Sequence, residues 1–241
     1  MTINAATIRL TFLMLLLCGC ANRGPIELSP DNRAKLGATE VVAVIPQEEI
    51  NAEIIESNAA TRALQGGLLA ALIDANVNNS RLKEAEKTVD PYRNALIDYD
   101  FPQRFRDALE SELRASSSFK NAHVTVQRSP GKDGPKPPIA GATPASTLVL
   151  TTRYSMVSDF SLLNVRVDAK LLLNSDSTRT PVYTHSFVSG RRAPEGEGDL
   201  AARWTINNGV GLKTAMDESI HDVVHFVVRG VDGDSTNAAA R

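Results

Sequence analysis

Cysteine is nearly absent from this sequence. The only two, Cys18 and Cys20, fall within the first twenty of 241 residues. Beyond them there is no thiol nucleophile, no disulfide and no cysteine zinc site. Excess charge of one sign is also missing, since 26 Lys and Arg face 28 Asp and Glu for a net −2. That balance disfavours a nucleic-acid binder, which needs a basic surface to neutralise phosphates. Long apolar runs are lacking too. The clearest, Leu10–Leu17, would rise only about 12 Å as a helix, against roughly 30 Å of bilayer hydrocarbon. No transmembrane helix is expected. Nor is there a GxSxG elbow, a phosphate-binding loop or a GxGxxG. These motifs carry nucleophilic and nucleotide chemistry, so no catalytic residue, cofactor or enzymatic activity is expected. With 42% hydrophobic and 22% charged residues, what is present is an ordinary globular composition.

The first nineteen residues carry one charged side chain, Arg9, followed by the apolar run and then by Leu17-Cys18-Gly19-Cys20. Basic, apolar and small-residue regions in that order make a secretory signal. The Leu-x-Gly-Cys sequence resembles the lipobox of bacterial lipoproteins. The resemblance implies cleavage between Gly19 and Cys20, a diacylglyceryl group on the Cys20 sulfur and fatty acylation, such as palmitate, of its new amino group. Cys18 stands where Ala or Ser is commoner. Two or three acyl chains would make attachment effectively permanent, because each buried CH₂ contributes about 0.8 kcal/mol. Ala21, rather than Asp, follows the cysteine, which for this family implies the periplasmic face of the outer membrane.

Four segments are expected: the signal peptide over 1–19, the lipidated cysteine with a flexible tether over 20–38, one periplasmic domain over 39–230 and a flexible tail over 231–241. The tether reading rests on Gly24-Pro25, Pro30 and alternating charges. In the domain, Glu40–Ile45 reads as a buried strand and Ile50–Ile54 as a second. Residues 58–79 read as a helix rich in small residues, with Gly66-Gly67 at its centre. A charged helix over 80–98 is broken at Asp90-Pro91. Asp100 is placed to cap the next helix, whose face carries Phe101, Phe105, Leu109 and Leu113. Val124 and Val126 mark a strand, and the Pro- and Gly-rich residues 128–146 a surface loop.

The clearest pattern follows. Leu148 to Met156 alternates. In the next strand Leu163, Val165, Val167, Ala169, Leu171 and Leu173 share one face, while Asn164, Arg166, Asp168 and Lys170 share the other. Period-two alternation means one buried and one wet face. With a strand at Val182–Val188, this predicts an antiparallel meander. A final helix, capped by Asp199 and kinked at Gly209 or Gly211, carries Trp204, Met216, Ile220, Val223 and Val227 on one stripe. The expected fold is α+β, a mainly antiparallel sheet with helices packed on one face.

His221 and His225 are four residues apart on this last helix, a spacing that can ligate zinc. No third ligand is identifiable in sequence, and no metal is expected. Glu195, Glu197 and Asp199 lack the loop pattern of a calcium site. The functional expectation is therefore a lipid-anchored, non-catalytic accessory or scaffold domain of the periplasm. Its partner would be another cell-envelope component, a protein complex or the cell wall. A periplasmic lipoprotein binding a small ligand or lipid is the alternative, and a hydrolase with dispersed carboxylates comes third. Nothing in the sequence sets the oligomeric state.

Overall fold

The computed structural model describes residues 24–53, 68–119, 121–128, 144–157 and 159–233. The signal peptide and the Gly19-Cys20 junction lie outside these residues. So do the Gly66-Gly67 stretch, most of the proline-rich segment and the last eight residues.

A six-stranded sheet forms the centre of the fold. Its strands are β1 (Thr39–Val44), β2 (Asn51–Glu53), β3 (His123–Gln127), β4 (Ser146–Val157), β5 (Leu162–Leu173) and β6 (Tyr183–Arg192). The spatial order is β3-β1-β4-β5-β6, and β2 pairs with β4. The expected meander is present: β4, β5 and β6 are antiparallel neighbours. Most paired residues are thus antiparallel, as expected, but the rest of the sheet is not. β1 runs parallel to both β3 and β4, and β2 is parallel to β4, so the sheet is mixed. Parallel neighbours need crossover connections of a dozen or more residues. The residues between β2 and β3, and those between β3 and β4, supply that length. Alternation within one strand reports which face is wet, not which strand lies beside it.

Helices α1 (Pro30–Arg33), α2 (Leu68–Thr88), α3 (Asp90–Ala95), α4 (Phe101–Ala115) and α5 (Leu200–Asp232) complete the chain. The side chain of Asp100 accepts a bond from the Gln103 amide, closing the start of α4 as its sequence suggests. Phe101, Phe105, Leu109 and Leu113 are its buried stripe. Helix α5 lies on β5 and β6, and α4 lies beside it against β3. Both cover the sheet face that carries Val41, Leu150, Val167 and Phe187. Trp204 is fully buried, and its indole N–H donates to the Phe160 carbonyl at 2.7 Å, so it pins the start of α5 to the β4–β5 connection.

Helix α5 breaks where glycine was expected to kink it. Asn207, Asn208 and Gly209 have φ of 51°, 59° and 71°. A Cβ on Gly209 would lie 2.7 Å from the Ala95 Cβ, so the end of α3 packs tightly against the break. Asn tolerates the left-handed region better than most residues, and Gly occupies it freely.

Both ends of the domain are more firmly packed than expected. Residues read as a flexible tether are held from residue 26 onward. Ile26 and Thr184 exchange backbone hydrogen bonds of 2.9 and 3.0 Å, which adds a strap to the outer edge of β6. Leu28 and Leu36 are buried in the core. The Arg33 guanidinium donates to the Val231 carbonyl at 3.0 Å, tying α1 to the end of α5. Residues 231–233, read as the start of the tail, are packed as well: Val231 is buried, Asp232 accepts from the Ser116 hydroxyl, and Gly233 ends the helix at φ 87°. Scattered leucines and a lone arginine carry too little periodicity to reveal such docking in sequence.

Candidate functional site

The sheet face turned away from α4 and α5 divides in two. Over β1, Glu40, Val42 and Val44 are buried. Over β4, β5 and β6 the face is polar and open. Strand alternation sets Arg153 of β4, Arg166, Asp168 and Lys170 of β5, and Thr184 and Ser186 of β6 together there. A groove of about 870 Å³ runs over them, bordered by Gly24, Pro25 and Ile26 of the strap.

Three cations and one carboxylate define this groove. The register places Arg153 directly opposite Arg166. Like charges at opposed positions repel and weaken a sheet, so their retention asks for a compensating anion. Asp168 supplies only part of it. Its Oδ1 accepts two bonds from the Arg166 guanidinium, at 3.0 and 3.1 Å, and one from the Ser186 hydroxyl at 2.7 Å. Burial works to raise the Asp168 pKa. The Ser186 hydroxyl and Arg166 together outweigh it, with Arg153 adding its charge, and hold the carboxyl below its ordinary value. Arg166 is thereby fixed in orientation. The exposed side chains of Arg153 and Lys170 make no hydrogen bond or ion pair among the described residues. The arrangement can attract and orient an anion at two free cations beside a third that is already braced.

The groove pairs its serine with a carboxylate rather than an imidazole. His185 is next in sequence to Ser186, but its ring stacks between Tyr183 and Phe187, at centroid distances of 6.3 and 4.5 Å, on the other side of β6.

His221 and His225 do project together, with nearly parallel rings 6.2 Å apart. Glu112 of α4, which the sequence did not single out, faces both, its carboxylate oxygens lying 3.8 Å from His221 Nε2 and 3.4 Å from His225 Nδ1. Among the described residues no group of three or more His, Cys, Asp or Glu side chains is arranged to hold a metal ion. Glu40 is the one fully buried carboxylate among them, and its Oε1 has no partner. Burial raises its pKa, while His123 across the strand pair lowers it. Glu195, Glu197 and Asp199 stay on the surface, where Asp199 caps α5 through the Ala201 amide.

Of the groove residues, Arg166, Asp168 and Lys170 belong to the wet face already legible in β5. Arg153 was missed. Its place in the polar phase of the alternating β4 was a usable signal, but its neighbour was not.

No family model matches the chain, and no curated protein matches it. Solved structures give distant likenesses. A Xanthomonas campestris protein of the DUF330 family is 11% identical over 88% of this chain and 95% of its own, with a TM-score of 0.37. A hypothetical protein of Chlamydia trachomatis is 12% identical over 81% and 97%, with a TM-score of 0.36. The PelC dodecamer of Paraburkholderia phytofirmans gives 12% identity over 88% and 93%, with a TM-score of 0.29. TM-scores this far below 0.5 transfer neither activity nor assembly to this chain. Among the described residues no helix is long and apolar enough to cross a membrane.

Proposed function

We propose that this protein is a lipid-anchored, non-catalytic accessory domain of the bacterial periplasm that binds an acidic component of the cell envelope. One observation carries the reading: an open sheet face on which Arg153, Arg166 and Lys170 gather around a single carboxylate. Anions meeting such a face gain charge-assisted hydrogen bonds, and Arg offers a planar fork suited to carboxylate and phosphate oxygens. The lipobox-like Leu17-Cys18-Gly19-Cys20 supports the anchor, and Ala21 supports the outer membrane as its address.

The alternative, a pocket for a small ligand or lipid between sheet and helices, has less support. That space is filled by Phe101, Phe105, Tyr154 and Trp204, all buried. A hydrolase reading would need a buried pair of carboxylates, whereas among the described residues Glu40 is buried alone.

Complementation of a deletion strain tests the reading. Wild-type protein should restore envelope integrity, measured as resistance to detergent. Two variants should fail to restore it: Cys20→Ser, which would leave the membrane fraction, and Arg153→Glu with Lys170→Glu, which would stay there at normal abundance. Full restoration by both variants would refute the proposal.

A further inference from the structure

We infer that the acidic component met by the groove is the headgroup layer of anionic phospholipid in the membrane that anchors the protein. This rests on the anchored-lipoprotein reading above and adds to it an occupant and an orientation.

Chain length bounds the distance between anchor and groove. Gly24, Pro25 and Ile26 border the groove, and Ile26 is fixed to β6 by paired backbone hydrogen bonds. Cys20 precedes Gly24 by four residues, which span at most about 14 Å when fully extended. An acylated Cys20 sits at the membrane surface, so the rim of the groove cannot leave that surface by more than this length. Charge complementarity supplies the second step. The lining of the groove holds three cations and one carboxylate, with Glu53 further along the same face on Ser155 and Asn164, while the whole chain carries −2. The cations are thus a local feature of the face nearest the anchor, not a general property of the surface. Exposed Pro25 and half-buried Ile26 and Pro181 lie among them, a mixture of short apolar and cationic groups suited to an interface.

Electrostatic attraction to anionic lipid reaches only about a Debye length, near 8 Å at physiological salt. It would be weak for a freely diffusing domain. The anchor converts it into an intramolecular contact at high effective concentration. The outward face of β4, β5 and β6 then turns towards the bilayer, and α4 and α5 turn away from it. Arg166, already braced by Asp168, presents its guanidinium without further ordering, while Arg153 and Lys170 meet lipid phosphates.

Vesicle binding tests this without the anchor. The chain from residue 20 onward with Cys20→Ser, which holds every described element, is mixed with phosphatidylcholine vesicles with or without phosphatidylglycerol. At about 10 mM ionic strength, where the Debye length reaches about 30 Å and the free domain can respond, it should cosediment with the anionic vesicles alone, and physiological salt should release it. Arg153→Gln and Lys170→Gln should each weaken the partition about fivefold, with unchanged circular dichroism. Equal binding to both vesicle types, or undiminished binding by the double variant, would overturn the inference. So would an equal, Arg153-dependent heat of binding with inorganic phosphate alone, which marks a small-anion site. Sedimentation that reveals a dimer dissolved by the same variants would overturn it in favour of a second copy. The anchor is judged separately: intact mass of protein extracted from cell membranes reports lipid on Cys20, so its absence would sink the anchored reading whatever the vesicles show.

Discussion

Gly230 lies in the last turns of α5, where helix propensity and packing make opposite predictions. Replacing glycine by alanine inside a helix gains about 1 kcal/mol, because the backbone loses less freedom on folding. Here a Cβ would stand 2.6 Å from the Tyr183 hydroxyl oxygen and 2.9 Å from Phe187 Cζ. Optimal contacts between such atoms are near 3.5–4.0 Å. Both rings belong to β6 and are buried, Tyr183 fully and Phe187 at 3% exposure, so neither can swing into solvent. Overpacking of this kind typically costs 1–3 kcal/mol. Both rings being held in the core, the contact wins, and Gly230→Ala should lower stability by up to about 2 kcal/mol net. Tyr183 makes the test sharper. Its buried hydroxyl has no hydrogen-bond partner among the described residues, and an orphaned hydroxyl costs about 1–3 kcal/mol. Tyr183→Phe should therefore raise stability on its own. It should also soften Gly230→Ala, because it removes one of the two close atoms. Urea unfolding followed by far-ultraviolet circular dichroism would show a lower midpoint with unchanged slope for the glycine variant. A double-mutant cycle should give a coupling of about 0.5 kcal/mol or more. A raised midpoint for Gly230→Ala, or strictly additive effects, would refute the close approach of α5 to β6.

Two further outcomes follow from the same packing. Burial is the leading cause that pushes up all four tyrosines, Tyr154 to about 12 and Tyr92, Tyr99 and Tyr183 beyond it. Below pH 10 folded and unfolded chains both keep these protons; between pH 10 and 12 only the unfolded chain loses them, so stability falls as pH rises. Absorbance at the phenolate band should stay flat through pH 10 and rise only with unfolding, and a gradual rise centred at pH 10 in folded protein would contradict the burial. Gly209→Ala places a side chain at φ 71° against Ala95. It should destabilise by about 1–2 kcal/mol from the backbone alone, more with the clash, and an unchanged thermal midpoint would argue against the break in α5.

Local chemistry by itself determined much of this protein. The alternation in β4 and β5 set which of their residues are buried, because side chains on a strand can only take turns between two faces. Asp100 and Asp199 marked helix starts, because a short acceptor side chain satisfies amides that the first turn leaves free. The proposed address rests on Leu17-Cys18-Gly19-Cys20 alone, since a processing signal is a short local pattern. Only the tertiary structure decided what stands beside what. It set β1 parallel to β3 and β4, drew Ile26 onto β6 and Arg33 onto the end of α5, and brought Glu112 to two histidines more than a hundred residues away. It also placed Arg153 opposite Arg166. Register between strands is fixed by how their buried faces fit one another and the helices above, and that sum over distant contacts leaves no local pattern. The basic groove is a product of that register: β5 announced its wet side, and folding supplied the second arginine and the strap.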